Sequence, residues 1–246
     1  MRALVTGAGA RLGAAMARDL GAQGWDVALH YSSSADGAQA VADDIRGQGR
    51  QAVLLQADLL DLDACEALVP RAAEALGGPL TLLVNNASIF EHDDIRTASR
   101  RSWDRHVGSN LRAPLILTQA FAAQTTAGNI VNMIDQRVRK LTPEFMTYTL
   151  AKTALWTLTQ TSAQALGPGI RVNAIGPGPT LQGVRQSAAH FAAQQAATLT
   201  GQGAGPEDIT GALRYILAAP ALTGQLLCID GGQHLIWQTP DVQGVE

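Results

Sequence analysis

Residues 3–13 read ALVTGAGARLG, and this stretch decides the fold. Its first three residues predict a short apolar strand, and a helical pattern continues over residues 14–23. Gly7 permits a tight turn, Gly9 lets the main chain approach a phosphate, and the helix N-terminus offers unpaired N–H groups. A strand, a glycine-rich turn and a helix in this order predict a dinucleotide-binding site. The alternative is a glycine-rich turn that binds no ligand. The position of this turn directly after the first strand argues against that alternative.

Strands alternate with helices along the rest of the chain. The further strands are predicted at residues 25–31, 51–56, 79–84, 130–134, 170–175 and 225–229. The further helices are predicted at residues 38–48, 65–76 and 102–126, around residues 148–152, and at residues 206–218. This alternation predicts one Rossmann-like α/β domain over residues 1–246, with a doubly wound parallel sheet of about seven strands and helices on both faces.

Composition excludes several classes of protein. The net charge of −3 and the lack of a basic run argue against nucleic acid as a partner. No apolar run approaches the ~18 residues that span a bilayer, and no signal peptide precedes the first strand, so a cytoplasmic location is expected. Cys65 and Cys228 are far apart in the sequence, which excludes a disulfide scaffold, and no Cys/His cluster has the spacing of metal ligands.

The end of the second predicted strand distinguishes NADP(H) from NAD(H). An acid there would bind the ribose 2′-hydroxyl of NAD and repel a 2′-phosphate. Residues 30–34 instead read HYSSS, and no acid occurs until Asp36. Hydroxyls and N–H groups at a helix start can receive an anion, and Arg11 adds a cation, so NADP(H) is favoured. The alternatives are an exposed surface charge for Arg11 and a helix cap for the serines.

Polar residues also follow the other predicted strands. Asp58 and Leu59 follow the third strand, where a carboxylate is placed to reach an adenine amino group or to cap the next helix. Asn86, Ala87 and Ser88 follow the fourth strand, where they fix a turn or line a cofactor. A rigid Pro-Gly turn follows the sixth strand at residues 177–178.

Tyr148 and Lys152 are four residues apart, which on a helix places both side chains on one face. An ammonium beside a phenol lowers the pKa of the phenol, so the pair is a tunable proton donor. Asp135 follows the apolar strand at residues 130–134, at the edge where α/β sheets place ligands. Asn110 lies in a mostly apolar helix, where it either bonds its own backbone or marks a bend that holds a water near Lys152.

Taken together, these motifs resemble the short-chain dehydrogenase/reductase family over nearly the whole chain. The resemblance implies NAD(P)-dependent oxidoreduction with Tyr148 as the acid/base. It further implies that Lys152 binds the nicotinamide ribose and lowers the Tyr148 pKa, that Asn110 completes a proton relay, and that the protein is a homotetramer. The residues predicted to contact the cofactor are Gly7, Gly9, Arg11, Leu12, Gly13, His30, Tyr31, Ser32, Ser33, Asp58, Leu59, Asn86, Ala87, Ser88, Tyr148, Lys152, Pro177 and Gly178.

Two departures narrow the resemblance. Family members commonly have glycine in place of Arg11 and serine in place of Asp135, and both differences, together with Phe90, are similar to the pteridine and dihydromonapterin reductases. This similarity implies that Phe90 stacks on a pterin ring and sandwiches it against the nicotinamide. Arg11 and Ser88 would contact the pterin or the cofactor phosphates. The segment at residues 181–205 would close over the substrate as a helical lid.

Asp135 in place of serine has a physical consequence. An anion close to Tyr148 opposes the lowering of its pKa by Lys152, so the phenol keeps its proton near neutrality, as a reductase requires. The carboxylate can also accept a hydrogen bond from the exocyclic amine or ring N–H of a pterin. Alternatively, Asp135 only caps the loop after its strand.

The function predicted from the sequence is the NADPH-dependent reduction of a dihydropterin to its tetrahydro form. Candidate substrates are dihydrobiopterin, dihydromonapterin and dihydrofolate, and Tyr148 is the expected proton donor. One alternative is a carbonyl reductase of the same fold that acts on an unrelated ketone. Another is a non-catalytic NADPH-binding regulatory protein, which would not need to keep Tyr148, Lys152 and Asn110.

Overall fold

A computed structural model describes residues 1–183 and 186–239. Seven parallel strands form one sheet in the order β3-β2-β1-β4-β5-β6-β7, which confirms the predicted doubly wound sheet. Because the strand order reverses between β1 and β4, the carboxyl ends of these two strands border the crevice where such sheets bind ligands. The strands are β1 Arg2–Val5, β2 Asp26–Tyr31, β3 Ala52–Gln56, β4 Leu82–Asn85, β5 Gly128–Met133, β6 Ile170–Pro177 and β7 Leu226–Ile229.

Helices connect the strands on both faces of the sheet. They are α1 Arg11–Ala22, α2 Ala35–Gly47, α3 Leu62–Ala75, α4 Arg100–Val107, α5 Ala113–Gln124, α6 Met146–Leu166, α7 Ala188–Ala196 and α8 Pro206–Ala218. A π-helical turn at Gly108–Arg112 separates α4 from α5, and short 3₁₀ turns lie at Gln136–Val138 and Gln233–Leu235. Among the described residues, no helix is long and apolar enough to cross a membrane.

Alternate residues of each strand enter two separate cores. In β1, the side chains of Ala3 and Val5 pack with α1, α2 and α8, whereas Leu4 packs on the opposite face with α3 and α5. All three side chains are fully buried. A parallel sheet covered on both faces requires such continuous apolar strands, and this is the pattern that marked residues 3–5 as a strand.

The long helical region predicted over residues 102–126 is present, and it runs from Arg100 to Gln124 with a π-helical turn inside it. Ser99 and Ser102 form a capping box that starts α4 at Arg100, and the helix widens into a π-helical turn before α5 begins at Ala113. The turn contains Asn110, whose buried side chain bonds to a neighbouring loop. Interruptions of this kind occur frequently at functional sites.

Candidate active site

The structure brings Asp135, Tyr148 and Lys152 together at the carboxyl end of β5. The Tyr148 hydroxyl donates a hydrogen bond of 2.9 Å to Oδ2 of Asp135. The Lys152 ammonium donates one of 2.7 Å to the Met133 carbonyl and lies 5.7 Å from the centroid of the Tyr148 ring. Tyr148 and Lys152 lie in the first two turns of α6, as their spacing of four residues predicted. Asp135 lies two residues after the end of β5.

Burial dominates the electrostatics of these groups. Burial raises the pKa of Tyr148 well above its ordinary value, and the charge and hydrogen bond of Asp135 raise it further, against opposing effects of Arg137 and Ser88. Burial also lowers the pKa of Lys152 to about 8, although the charge of Asp135 opposes this lowering. Burial raises the pKa of Asp135. The net shift of the Tyr148 pKa is therefore opposite in sign to the lowering expected from Lys152 alone, and the phenol is held protonated.

Asp135 has two roles in the structure, one for each carboxylate oxygen. Oδ1 accepts a hydrogen bond of 2.8 Å from the Arg137 main-chain N–H and so caps the 3₁₀ turn after β5. Oδ2 accepts the hydrogen bond from the Tyr148 hydroxyl. The cap and the contact with Tyr148, which the sequence presented as alternatives, therefore coexist.

The Asn110 side chain is paired with the main chain of Ile89, in the loop after β4. Its Nδ2 donates to the Ile89 carbonyl at 2.8 Å, and its Oδ1 accepts from the Ile89 N–H at 2.9 Å. A bond to its own backbone, one of the two alternatives, is therefore wrong. A water held between this turn and Lys152 remains a prediction.

The turn between β1 and α1 fits a pyrophosphate. Gly7 has a φ of +65°, and a Cβ on Gly13 would lie 2.2 Å from the Gly7 carbonyl oxygen, so both positions require glycine. In this part of the described chain, Ala10 at the N-cap of α1 makes no side-chain cap bond and the first helical turn carries no acid. The N–H groups at this helix start are thus open to an anionic ligand.

Arg11 adopts a conformation that favours glycine, with a φ of 52°. Its guanidinium donates hydrogen bonds to the carbonyls of Gln182 at 2.7 Å and Leu181 at 2.9 Å. Arg11 therefore ties the glycine-rich turn to the first residues of the segment predicted to be a lid. Its contact with a cofactor phosphate or a pterin stays a prediction.

The His30 side chain is hydrogen-bonded to the glycine-rich turn between β1 and α1. The buried ring accepts a hydrogen bond of 3.1 Å from the Gly7 N–H at Nδ1, so Nε2 carries the proton and donates to the Ala57 carbonyl at 3.1 Å. Burial lowers the pKa of His30, which agrees with this neutral ring. Both ring nitrogens are thus engaged within the protein, and the predicted cofactor contact does not involve them.

The serines after β2 are exposed, as a site for a 2′-phosphate requires. Ser34 is the N-cap residue of α2, yet in the described chain its side chain makes no cap bond. The capping alternative for this serine run is therefore not observed at Ser34. Tyr31 is the last residue of β2, and Ser32 and Ser33 lie between this strand and the helix start.

Other predicted cofactor residues have structural partners. Asp58 Oδ1 accepts from the Leu60 N–H at 3.0 Å, whereas Asp61 caps α3, so the prediction that Asp58 caps this helix is wrong. Leu59 is buried in the core next to α3, because an apolar side chain after β3 gains more from packing than from exposure. The Asn86 amide donates to the Thr6 carbonyl at 2.8 Å and fixes the turn.

The remaining predicted positions surround the same crevice. Ala87 follows Asn86, and its N–H donates to the Thr6 hydroxyl at 3.0 Å. Leu12 packs against the core below α1. A Cβ on Gly178 would lie 2.6 Å from the Asp230 Cβ, so the turn at residues 177–178 approaches the loop after β7 too closely for a larger residue.

Aromatic rings form one wall beside Tyr148. The ring of Phe90 stacks on that of Phe145 with centroids 4.3 Å apart and an angle of 5°, and Tyr148 meets Phe90 edge-on at 4.7 Å. The Arg137 guanidinium lies 4.8 Å from the Phe145 centroid. Phe145 and Arg137 escaped the sequence analysis, although Phe145 precedes Tyr148 by three residues, a spacing that offered a signal.

Within its described residues, the predicted lid contains one helix, α7, none of whose residues is buried. Its N-cap Ser187 accepts a hydrogen bond from the His190 N–H at 3.2 Å. Val184 and Arg185, which belong to the predicted lid, lie outside the described residues. Closure of this segment over a substrate stays a prediction.

No group of three or more His, Cys, Asp or Glu side chains in the described ranges could hold a metal ion. Cys65 is a buried free thiol, and Cys228 is a half-buried one.

Comparisons with known proteins agree with this geometry. The FolM alternative dihydrofolate reductase 1 from Brucella suis, in complex with NADP, superimposes with a TM-score of 0.95 at 42% identity, covering 98% of each chain. A short chain dehydrogenase from Burkholderia cenocepacia J2315, also in complex with NADP, has a TM-score of 0.89 at 36% identity over 94% of this chain and 97% of the other.

Sequence relatives point to the same family. A 3-oxoacyl-[acyl-carrier-protein] reductase from Staphylococcus aureus is 28% identical over 95% of this chain and 98% of its own. Residues 1–192 match the short chain dehydrogenase family. The motifs, the sheet order and these matches agree, and the chain belongs to the short-chain dehydrogenase/reductase family.

Proposed function

We propose that this protein is an NADPH-dependent reductase that converts a dihydropterin to its tetrahydro form. The observation that carries the proposal is the partly buried hydrogen bond of 2.9 Å between Tyr148 and Asp135, beside the aromatic ring of Phe90. This arrangement combines a protonated donor, a carboxylate that can pair with pterin N–H groups, and a flat apolar surface. The likeness to a protein described as an alternative dihydrofolate reductase supports the same substrate class.

The cofactor is NADP(H), which the structural relatives from Brucella and Burkholderia also hold. The turn at Gly7 and the N-terminus of α1 would receive the pyrophosphate. Arg11 and the exposed serines at the start of α2 would receive the 2′-phosphate, and Lys152 would bind the nicotinamide ribose. When bound, the reduced cofactor supplies a hydride to the pterin ring.

Tyr148 supplies the proton, directly or through a water, to the ring nitrogen of the substrate. Burial and the Asp135 carboxylate keep that proton in place until the substrate arrives, since both raise the Tyr148 pKa. The Arg137 N–H orients Asp135 through Oδ1, so Oδ2 faces the Tyr148 hydroxyl. Asn110 would extend a relay that returns a proton to Tyr148 after turnover.

Phe90 provides the surface against which the pterin packs. With 45% of its surface exposed, it is accessible to a ligand despite its contacts with Phe145 and Tyr148. Ser88, whose hydrogen bond acts on the Tyr148 pKa, would contact the pterin or the cofactor. The segment at residues 181–205 would then close over the substrate.

A second candidate function is the reduction of a ketone. The 3-oxoacyl-[acyl-carrier-protein] reductase from Staphylococcus aureus favours it, because that relative aligns over 95% of this chain. A ketone, however, offers no N–H group to Asp135. A homotetramer, implied by the family resemblance, and a cytoplasmic location, expected from the sequence, stay predictions.

The deciding experiment measures NADPH oxidation with dihydrobiopterin, dihydromonapterin and dihydrofolate beside a panel of ketones. We expect at least one dihydropterin to be reduced with a higher kcat/KM than any ketone. Tyr148→Phe is the control, since it removes the proton donor and leaves the ring. A protein that reduces only ketones would contradict the proposal, and one that binds NADPH without turnover would support the non-catalytic alternative.

A further inference from the structure

A buried hydrogen-bond network connects the loop after β4 with the start of α6. Asp93 lies in that loop and is 2% exposed, and Oδ1 of its carboxylate accepts from the Thr147 N–H at 3.0 Å. The Thr147 hydroxyl donates to the other oxygen of Asp93. His106, from α4, completes the network with its Nδ1 2.7 Å from the Thr147 hydroxyl oxygen.

The direction of each hydrogen bond follows from the donors. The Thr147 hydroxyl uses its proton for Asp93, so it accepts from His106, whose Nδ1 therefore carries a proton. Nε2 of His106 accepts from the Glu91 N–H at 3.1 Å. The chain of donors thus runs from Glu91 through a neutral His106 and Thr147 to the Asp93 carboxylate, and each ring nitrogen has one partner.

The network replaces a missing helix cap. Phe145 occupies the N-cap of α6 with a φ of 56°, and in the described chain it makes no side-chain cap bond. Asp93 instead supplies two acceptors from another segment, since its carbonyl accepts from the Met146 N–H at 3.2 Å and its carboxylate from the Thr147 N–H. A carboxylate at a helix N-terminus also interacts favourably with the helix dipole.

The ends of the network adjoin the two parts of the candidate active site. Thr147 directly precedes Tyr148, and Glu91 directly follows Phe90. The His106 ring also meets the Tyr148 ring edge-on, with centroids 6.0 Å apart. A fully bonded and buried network allows little movement, so the position of the phenol depends on the same bonds as the loop that carries Phe90.

We propose that Asp93, Thr147 and His106 are positioning residues, which hold the Tyr148 hydroxyl against Asp135 and set the distance between Tyr148 and the ring of Phe90. The effect on Phe90 rests on the proposed pterin reductase function. The effect on the Tyr148 hydroxyl does not, because Tyr148 and Asp135 are in contact without any substrate.

The test compares Thr147→Val with Thr147→Ser. Valine matches threonine in shape and lacks the hydroxyl, whereas serine keeps it. The matched control is Thr153→Val, since the Thr153 hydroxyl on the same helix bonds only to the Thr149 carbonyl one turn earlier among its described contacts. The chain has 3 tyrosines, so protein labelled with ¹³C at the tyrosine Cζ gives few resonances, and Tyr148→Phe assigns the one of interest.

We expect the Tyr148 resonance to shift in Thr147→Val, to return in Thr147→Ser and to stay unchanged in Thr153→Val. With a dihydropterin, Thr147→Val should lower kcat roughly ten- to a hundredfold, because small misplacements of a reacting group have effects of this size. The Kd for NADPH should change less than about twofold, since the network lies away from the glycine-rich turn. Asp93→Asn, which keeps the shape of the side chain, should shift the resonance in the same way.

An unshifted Tyr148 resonance in folded Thr147→Val and Asp93→Asn would overturn the proposal. So would a resonance that moves equally in Thr147→Ser, because the hydroxyl would then not be the cause. If the wild type reduces no dihydropterin, the proposed function fails, yet the resonance still decides whether the network positions Tyr148.

Discussion

The hydroxyl oxygen of Tyr148 lies 2.9 Å from Oδ2 of Asp135, in a site where Tyr148 is buried and Asp135 is half-buried. Burial, and after it this contact, raise the Tyr148 pKa, which is the reverse of the lowering expected of a tyrosine beside a lysine. The carboxylate and the burial together keep the phenol protonated, which favours donation of a proton over its removal from a substrate.

The pH dependence of turnover tests this contact through Asp135→Ser. Removing the carboxylate removes two causes that raise the Tyr148 pKa, and it also removes a charge that raises the Lys152 pKa. Both pKa values should fall, so the upper limb of the profile of kcat/KM against pH should move to lower pH. Reduction of a pterin should fall as well, because its hydrogen bond to Asp135 is lost.

Asp104→Ser, an exposed change on α4, is the control for this profile. An upper limb that stays in place, or moves to higher pH, would leave Asp135 as a substrate ligand or a structural cap only.

Lys152→Met should abolish most activity and still leave a folded protein. The pKa of Lys152 is lowered from 10.5 to about 8, so between these values the unfolded chain binds a proton that the folded chain has lost. The contribution of Lys152 to the free energy of unfolding therefore rises with pH in this window. Relative to Lys152→Met, the wild type should gain about 2 kcal/mol between pH 7 and pH 9.5, measured by urea unfolding. The control is Lys140→Met, whose free energy of unfolding should change between pH 7 and pH 9.5 by the same amount as that of the wild type.

Phe90→Ala should raise the KM for a dihydropterin by roughly one to two orders of magnitude. Stacking on an aromatic side chain contributes ~1–3 kcal/mol per base in nucleic-acid complexes, and a pterin is similar in size and flatness. The Kd for NADPH should change little. Ile95→Ala removes a side chain that is 79% exposed in the same loop and should leave KM unchanged. An unchanged KM for the dihydropterin in Phe90→Ala would contradict the stacking role and would leave Phe90 with a packing role against Phe145 only.

Arg11→Ala should weaken the binding of NADPH more than that of NADH, because the guanidinium is the cation expected to meet the 2′-phosphate. Titration of both cofactors by fluorescence measures this, and equal affinities in the wild type would contradict the assignment of NADP(H).

Arg11→Gly separates the side chain from the backbone. Both variants lose the hydrogen bonds to Leu181 and Gln182, but only glycine accepts a φ of 52° without strain. We expect Arg11→Gly to be more stable than Arg11→Ala by about 1 kcal/mol in chemical unfolding. Equal stabilities would mean that the turn relaxes in the alanine variant.

The architecture and the centre of the site were predictable from the sequence because both depend on local patterns. Strands buried on both faces appear in the sequence as continuous apolar runs. A spacing of four residues on α6 places Tyr148 beside Lys152. The contact between Asp135 and Tyr148 followed from where a strand ends.

What escaped prediction depends on side chains that meet only after folding. The stack of Phe145 on Phe90 joins the N-cap residue of α6 with the loop after β4, and the spacing of Phe145 from Tyr148 does not signal this long-range contact. The same holds for Asp93 and Thr147, whose bond spans 54 positions in the sequence. The π-helical form of the turn between α4 and α5 could not be read from the sequence, because such a turn keeps an apolar helical pattern.

The hydrogen bonds of Arg11 imply an order of events in the catalytic cycle. One side chain links the turn that would hold the pyrophosphate to Leu181 and Gln182, where the segment at residues 181–205 begins. An arriving phosphate would compete for the guanidinium and release those two carbonyls. Cofactor would thus load before substrate and leave after product, so NADP⁺ should inhibit competitively against NADPH and non-competitively against the pterin.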